Sequence, residues 1–408
     1  MRLLDTETLQ LVDFIGNELR RRRYAILSHT WGDGEILFDD VQRGKSYLLG
    51  CGKLGLSKML SAARMARQNR YRYIWIDTCC IDKSSSAELS EAINSMWAWY
   101  QNSDVCYVYL SDFKYDKPDK LSGGERWFSR GWTLQELIAP SVVEFYNGRW
   151  VKFGTRDSLK LRLSSITGIE ELVFRWHPYE KCPADPPIGL PGCEFCRTGL
   201  AHMLDSISIA TRMTWAAYRN TTREEDVAYS MLGIFGVNMP LLYGEGQEAF
   251  QRLQHEIVRR STDQSIFAFA VARRCLMNSG RHMGMPLHFL FAGAPFWFHG
   301  TRMPRLTDKH FRPGTPMVLL SNVGIQLDVY LAPIHGSRGF SVAVLSCSTE
   351  GEASCSPALI LEEVAGLSTT RTFIRTWMVP STEAPVGYEF QVRAGTGKAE
   401  ATSMQGNL

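Results

Sequence analysis

Glu136 is the first residue whose setting suggests chemistry. In the run WTLQE it stands four residues after Trp132, which puts both on one face of a helix. A carboxylate beside an aromatic ring can have its orientation and its proton affinity tuned. The plainer reading is an ordinary surface glutamate on an amphipathic helix. A second group lies upstream. Ser28-His29-Thr30-Trp31-Gly32-Asp33 follows an apolar run directly, and small polar residues at such a point free backbone N–H groups for a phosphate. A plain strand-to-loop turn is the alternative. Asp77 precedes Cys79-Cys80, and with His29 these could pair a thiol nucleophile with a base, although adjacent cysteines after a buried strand are more often small core residues. Cys182, Cys193 and Cys196, with His177 or His202, have the residue types of a zinc site. The single C-x-x-C lacks a second half, so a free-thiol loop is preferred and no metal site is assigned. Neither a G-x-G-x-x-G nor a G-x-x-x-x-G-K-[ST] run is present, which removes the usual dinucleotide-fold and P-loop signatures.

The elements that must hold these residues alternate in type. Tyr24–Ser28, Tyr73–Ile76, Val105–Leu110 and Val142–Tyr146 are short apolar runs with strand character. Between them, Leu56, Met59, Leu60 and Ala63 mark one helix face. Ser85-x-x-Glu88 opens a helix striped by Leu89, Ile93, Met96, Trp97 and Tyr100. The run Trp132–Ala139 is a helix halted by Pro140. Strands alternating with helices predict parallel pairing through right-handed crossovers, in a doubly wound α/β sheet covered on both faces. Such sheets bind ligands beyond the carboxyl ends of their strands, here Ser28-His29, Asp77 to Cys80, and Ser111-Asp112.

The pattern changes further on. From about Lys152 to Asp263 it predicts helices, including one capped by Thr222-x-x-Glu225, striped by Ala228, Met231, Leu232 and Phe235, and ended at Gly236. A Pro/Gly/Cys-rich insertion interrupts it between Trp176 and Gly199. From Ser265 short alternating runs predict an antiparallel β domain, and the low apolar content of Arg393–Leu408 predicts a disordered tail. The expected division is 1–150, 151–264, 265–392 and 393–408.

Composition excludes some classes. Of 408 residues, 45 are Lys or Arg and 42 Asp or Glu, a net charge of +3, which argues against a nucleic-acid grip by bulk electrostatics. The 11 Trp, 15 Tyr and 20 Phe argue against a disordered chain. Ten cysteines without a regular framework, and no apolar core in Met1–Arg23, predict a reducing, cytoplasmic setting. The uncharged stretch His282–Thr301 is broken by prolines and glycines apart from its one end, so no membrane span is expected.

The runs YAILSHTWGDGE (Tyr24–Glu35), YIWIDTCCIDKSSSAELSEAINSMWAWY (Tyr73–Tyr100), VCYVYLSD (Val105–Asp112) and RWFSRGWTLQELIAP (Arg126–Pro140) resemble the fungal heterokaryon incompatibility (HET) domain family. The similarity continues through Met213–Gly246 and Asp263–Phe269. Phe269 stands where that family commonly has Trp. The resemblance implies an intracellular fungal protein of non-self recognition and regulated cell death. HET domains are in turn distantly similar to TIR domains, which implies a TIR-like (flavodoxin-like) sheet. The segment WTLQEL resembles the part of NAD-cleaving TIR enzymes that carries their catalytic glutamate, with Thr133 where those enzymes have Cys. Transferred here, that glutamate is Glu136, and Ser28, His29, Trp31, Gly32, Asp77 and Trp132 would line the pocket. NAD would be substrate rather than cofactor. The alternative implied by the same resemblance is a death-signalling module without chemistry, working by self-association or by binding a receptor-type partner.

Overall fold

A computed structural model of the chain describes residues 1–15, 22–176, 194–269, 291–299, 318–321, 324–327, 330–333, 340–345, 358–364 and 372–379. The chain forms two compact units. One takes Met1–Leu204 and Tyr218–Ala249, the other Asp205–Ala217 and the described residues from Phe250 onward.

The first unit is built on a mixed seven-stranded sheet. Its strands are β1 (Arg2–Asp5), β2 (Leu11–Asp13), β3 (Tyr24–His29), β4 (Tyr73–Trp75), β5 (Val105–Tyr109), β6 (Val143–Tyr146) and β7 (Lys152–Thr155), in the order β2-β1-β4-β3-β5-β6-β7. The four apolar runs pair in parallel, as predicted: β3 with β4, β3 with β5, and β5 with β6. All six residues of β3 are buried, which explains its near-continuous apolar character. The sheet departs from the expected parallel form at both edges. The hairpin β1–β2 joins β4 antiparallel, and β7 joins β6 antiparallel. The region after Lys152 therefore opens with a strand rather than a helix. The hairpin turns because Asp5 accepts hydrogen bonds from the N–H groups of Glu7 and Thr8 at 2.9 and 3.0 Å.

The helices of the first unit are α1 (Phe38–Gln42), α2 (Lys45–Gly50), α3 (Gly55–Gln68), α4 (Asp77–Cys80), α5 (Ser86–Gln101), α6 (Thr133–Ile138), α7 (Lys160–Thr167), α8 (Glu171–Phe174) and α9 (Glu194–Asp205), followed after the crossing segment by α11 (Asp226–Tyr229). On α3 the buried face is Gly55, Met59, Ala62, Ala63 and Ala66, turned from the predicted stripe toward small residues. The reason is close approach: a Cβ on Gly55 would stand 2.8 Å from Glu35 Cα. Ser85 caps α5 as expected, accepting from Glu88 N–H at 3.3 Å, but Glu88 does not reach back. Its carboxylate takes the Asp82 N–H and Arg2 Nη1, each at 2.8 Å. Of the helix predicted to start at Thr222 and end at Gly236, only Asp226–Tyr229 is regular helix. Thr222 accepts from Arg130 instead of capping it, and 230–236 run as turns ending at Gly236 with φ +62°.

In the second unit, α10 (Ile209–Thr214) opens with its orphan N–H groups held by side chains of a following turn. Ile209 N–H donates to Asp263 Oδ2 at 2.7 Å and Ala210 N–H to Ser265 Oγ at 3.0 Å. The C-terminal strands form antiparallel sheets, Tyr330–Pro333, Phe340–Val344, Ala358–Val364 and Thr372–Val379 in one and Val318–Ser321 with Gly324–Leu327 in another. Cys182, Cys193 and His177 of the Cys-rich insertion, the Cys196 side chain, most of His282–Thr301 and the tail Arg393–Leu408 lie outside the described residues. Among the described residues no helix is long and apolar enough to cross a membrane.

Candidate functional site

Strand order reverses at β3, whose neighbours β4 and β5 are reached in opposite directions. Ser28 and His29 end β3, Asp77 follows β4 and begins α4. Every residue of α6 is buried, Glu136 among them at 8% exposure, so the surface-glutamate reading fails. Ser28 Oγ donates to Glu136 Oε2 and accepts from Trp127 Nε1 at 2.7 Å. The Tyr100 hydroxyl, which donates to Leu27 O at 3.1 Å, also lies beside the carboxyl. Burial dominates its titration: despite the bonds from Ser28 and Tyr100, which favour ionisation, Glu136 is pushed up to about 8, with the Asp77 charge adding to the rise. It is therefore mostly neutral at pH 7.

Asp77 is the counterpart. Burial works to raise its pKa, but the His29 hydrogen bond and the His29 and Lys83 charges outweigh it and hold the carboxyl at about 2. Its Oδ1 meets His29 Nε2 at 3.0 Å and its Oδ2 accepts from Trp31 Nε1 at 2.8 Å. His29 Nδ1 is buried with no hydrogen-bond partner. Two carboxyl groups of one site are thus driven apart, one neutral and one ionised near pH 7, a perturbation of the kind that clusters at functional sites.

The remaining expected residues go elsewhere. Gly32 N–H is not free for a ligand, because it donates to Glu35 Oε1 at 2.7 Å, and Lys58 also bonds that carboxylate. Trp132 does not share the Glu136 cluster: its indole N–H donates to Asp226 Oδ2 at 3.3 Å, and Asp226 also accepts from the Tyr243 hydroxyl at 3.0 Å. Trp127 takes the place beside Glu136 that the spacing had suggested for Trp132. Cys79 and Cys80 are buried core residues, and their mutual hydrogen bond with burial pushes the Cys79 thiol well above its ordinary value, so a thiolate nucleophile is disfavoured. No group of three or more metal-ligating side chains occurs among the described residues. Sequence reasoning missed Tyr100, Trp127 and Arg219. Arg219 donates to Arg130 O and Thr133 Oγ1, both at 2.9 Å, which ties the 218–249 segment to the start of α6.

Ser28→Ala tests this network. It leaves a buried indole N–H and the Glu136 carboxyl without their shared partner, an expected loss of about 1–3 kcal/mol. Because the Ser28 bond favours the ionised carboxyl, the pKa of Glu136 should rise further. Chemical denaturation, and a carbon-detected carboxyl titration of the variant, check both effects.

Comparison with known proteins relates part of the chain to a family: residues 24–123, which include Ser28, His29, Trp31 and Asp77 but not Glu136, match the model of the heterokaryon incompatibility protein (HET) family. Residues 248–285 match a domain of unknown function, DUF8212. Vegetative incompatibility protein HET-E-1 of Podospora anserina is 42% identical over 245 residues, which is 57% of this chain. The aligned stretch spans only 16% of that relative's length. No solved structure matches the chain.

Proposed function

We propose that this protein acts in heterokaryon incompatibility, the non-self recognition that ends in regulated cell death, and that its HET domain cleaves NAD at the nicotinamide–ribose bond. The likeness to HET-E-1 supports the biological role. The parallel order β4-β3-β5-β6, second-first-third-fourth in the chain, matches the start of a flavodoxin-like sheet and supports a TIR-like, doubly wound reading of the unit. The observation that carries the chemistry is the Glu136 carboxyl set against Ser28 at the carboxyl end of β3. Breaking the nicotinamide–ribose bond sends the bonding pair to the nicotinamide and builds positive charge on the ribose. An ionised carboxylate nearby stabilises that charge, and water then adds to the ribose carbon. With Glu136 at about 8, the rate should climb with pH through that value.

Purified full-length protein should release nicotinamide from NAD, and Glu136→Gln should release none. Equal release by the variant removes Glu136 from the reaction. A non-enzymatic signalling module is the second reading, favoured by the exposed apolar side chains Leu37, Tyr47, Leu49 and Leu54 around α1 and α2. Under that reading Glu136→Gln keeps its toxicity, while charged substitutions at Leu49 and Leu54 abolish both toxicity and self-association.

A further inference from the structure

Trp31 is an exposed indole, 44% accessible, at the carboxyl end of β3; one cation lies over its ring and another bonds its backbone carbonyl. The Lys83 ammonium stands 3.6 Å from the centre of its ring. That nitrogen is buried and makes no hydrogen bond, so its three donors have lost water and gained an aromatic face and the charges of Asp77 and Glu35 beyond salt-bridge distance. Arg126, an exposed side chain, spends one nitrogen on Trp31 O at 2.9 Å. Among the described residues, neither cation has a carboxylate within salt-bridge distance. The other lysines nearby are occupied: Lys58 pairs with Glu35 and Lys53 with Asp40. Asp77 is engaged by His29 and Trp31, and its bond to the indole fixes the ring. The arrangement leaves two cations beside one tryptophan, near the point where strand order reverses, neither of them in a salt bridge among the described residues.

We propose that Lys83 and Arg126 bind the diphosphate of a dinucleotide, with the Trp31 indole as the platform for one of its rings. The proposal rests on the reading that this site takes NAD, and it assigns the charged middle of that ligand. A diphosphate carries two negative charges and can bridge two cations. Arg126 offers it a planar fork and Lys83 a point charge.

The test uses the full chain carrying Glu136→Gln, so that no turnover interferes, with ADP-ribose as the probe in titration calorimetry. ADP-ribose should bind, and inorganic pyrophosphate should compete. Adding Lys83→Gln or Arg126→Gln should weaken ADP-ribose at least tenfold each, with Lys83→Arg recovering part of the loss. Adenosine, which lacks the diphosphate, should bind all variants alike and weakly. Melting curves matched to the parent show that the variants fold. Absence of ADP-ribose binding, or unchanged affinity in the double variant, overturns the proposal. The two readings fail separately. ADP-ribose binding that needs Lys83 and Arg126, with NAD left intact by the wild type, removes the Glu136 reaction only. NAD cleavage with an unchanged KM in the double variant removes the diphosphate site only.

Discussion

Glu136→Gln should leave the protein folded, make it at least as stable as the wild type at pH 8, and silence it. Glu136 normally ionises near 4.5 but keeps its proton to about 8 when buried in the native state. Between those values the folded chain binds a proton that the unfolded chain has lost. The contribution of this carboxyl to stability is therefore full below about pH 4.5 and is lost progressively as pH rises through 8, by about 1.4 kcal/mol per pH unit at most. Glutamine has nearly the same shape, can still accept from Ser28, and cannot ionise. Wild type and variant should have similar melting temperatures at pH 5 and diverge as pH rises, the variant melting higher. Parallel curves from pH 5 to 8 would show that Glu136 does not hold its proton in the native state. The functional half is independent of this: a variant that is folded and stable yet fails to kill or to cleave NAD separates the role of the carboxylate from its packing. Glu136→Ala makes a poorer test, because it also leaves Ser28 and Tyr100 facing a void.

Arg156→Met should cost about 3–5 kcal/mol, the largest stability loss predicted for any side chain outside the apolar core. Arg156 is 2% exposed. Its Nη1 donates to Leu137 O and Ile138 O at 3.0 and 2.9 Å, and its Nη2 to Ser141 O and Trp176 O at 3.2 and 3.1 Å. Three of these are carbonyls that the end of α6 and the Pro140 turn cannot satisfy themselves, since helix termini leave acceptors open and proline has no N–H; the fourth, Trp176 O, lies just after α8. Burial lowers the guanidinium to about 10, so it stays charged at neutral pH and complements the negative end of the helix. Methionine fills much of the volume but leaves four acceptors dry. Lysine should lose less than methionine but more than half, because one ammonium cannot span both pairs of carbonyls. Urea midpoints with an unchanged m-value measure this, and a loss under about 1 kcal/mol for methionine would show that water replaces the guanidinium. As α6 carries Glu136, the variant should lose activity with stability.

What could be read in the sequence was whatever is local and repeated. Four strands declared themselves because burial on both faces makes each a short apolar run, and Ser85 because a cap bonds only three residues away. The edge hairpin was invisible: strands of four and three residues holding Arg2, Asp5 and Asp13 lack any alternation long enough to recognise. Glu136 was singled out by its spacing from Trp132 and given a role by resemblance, but its burial was not legible. Six residues of helix covered on every side show no polar face from which to judge orientation. Trp132 went astray because its partner Asp226 lies 94 residues further on. Nothing in the sequence set Lys83 apart, since its distinguishing feature, a buried amine over a ring from another loop, exists only after folding.

The interleaving of the two units has a consequence for the order of events during synthesis. When residue 204 leaves the ribosome, all seven strands of the sheet exist, yet the unit they belong to is incomplete. Asn220 has still to exchange backbone bonds with Ser129 and Gly131, Arg219 to reach Thr133, and Met239 to meet Asn94. A nascent chain must hold an open, apolar-edged intermediate while some forty-five further residues emerge, thirteen of which go to the other unit. Arg219, which bonds Thr133 at the start of the helix that carries Glu136, is among the residues still to come, so that helix cannot be fully held before residue 219 has been translated.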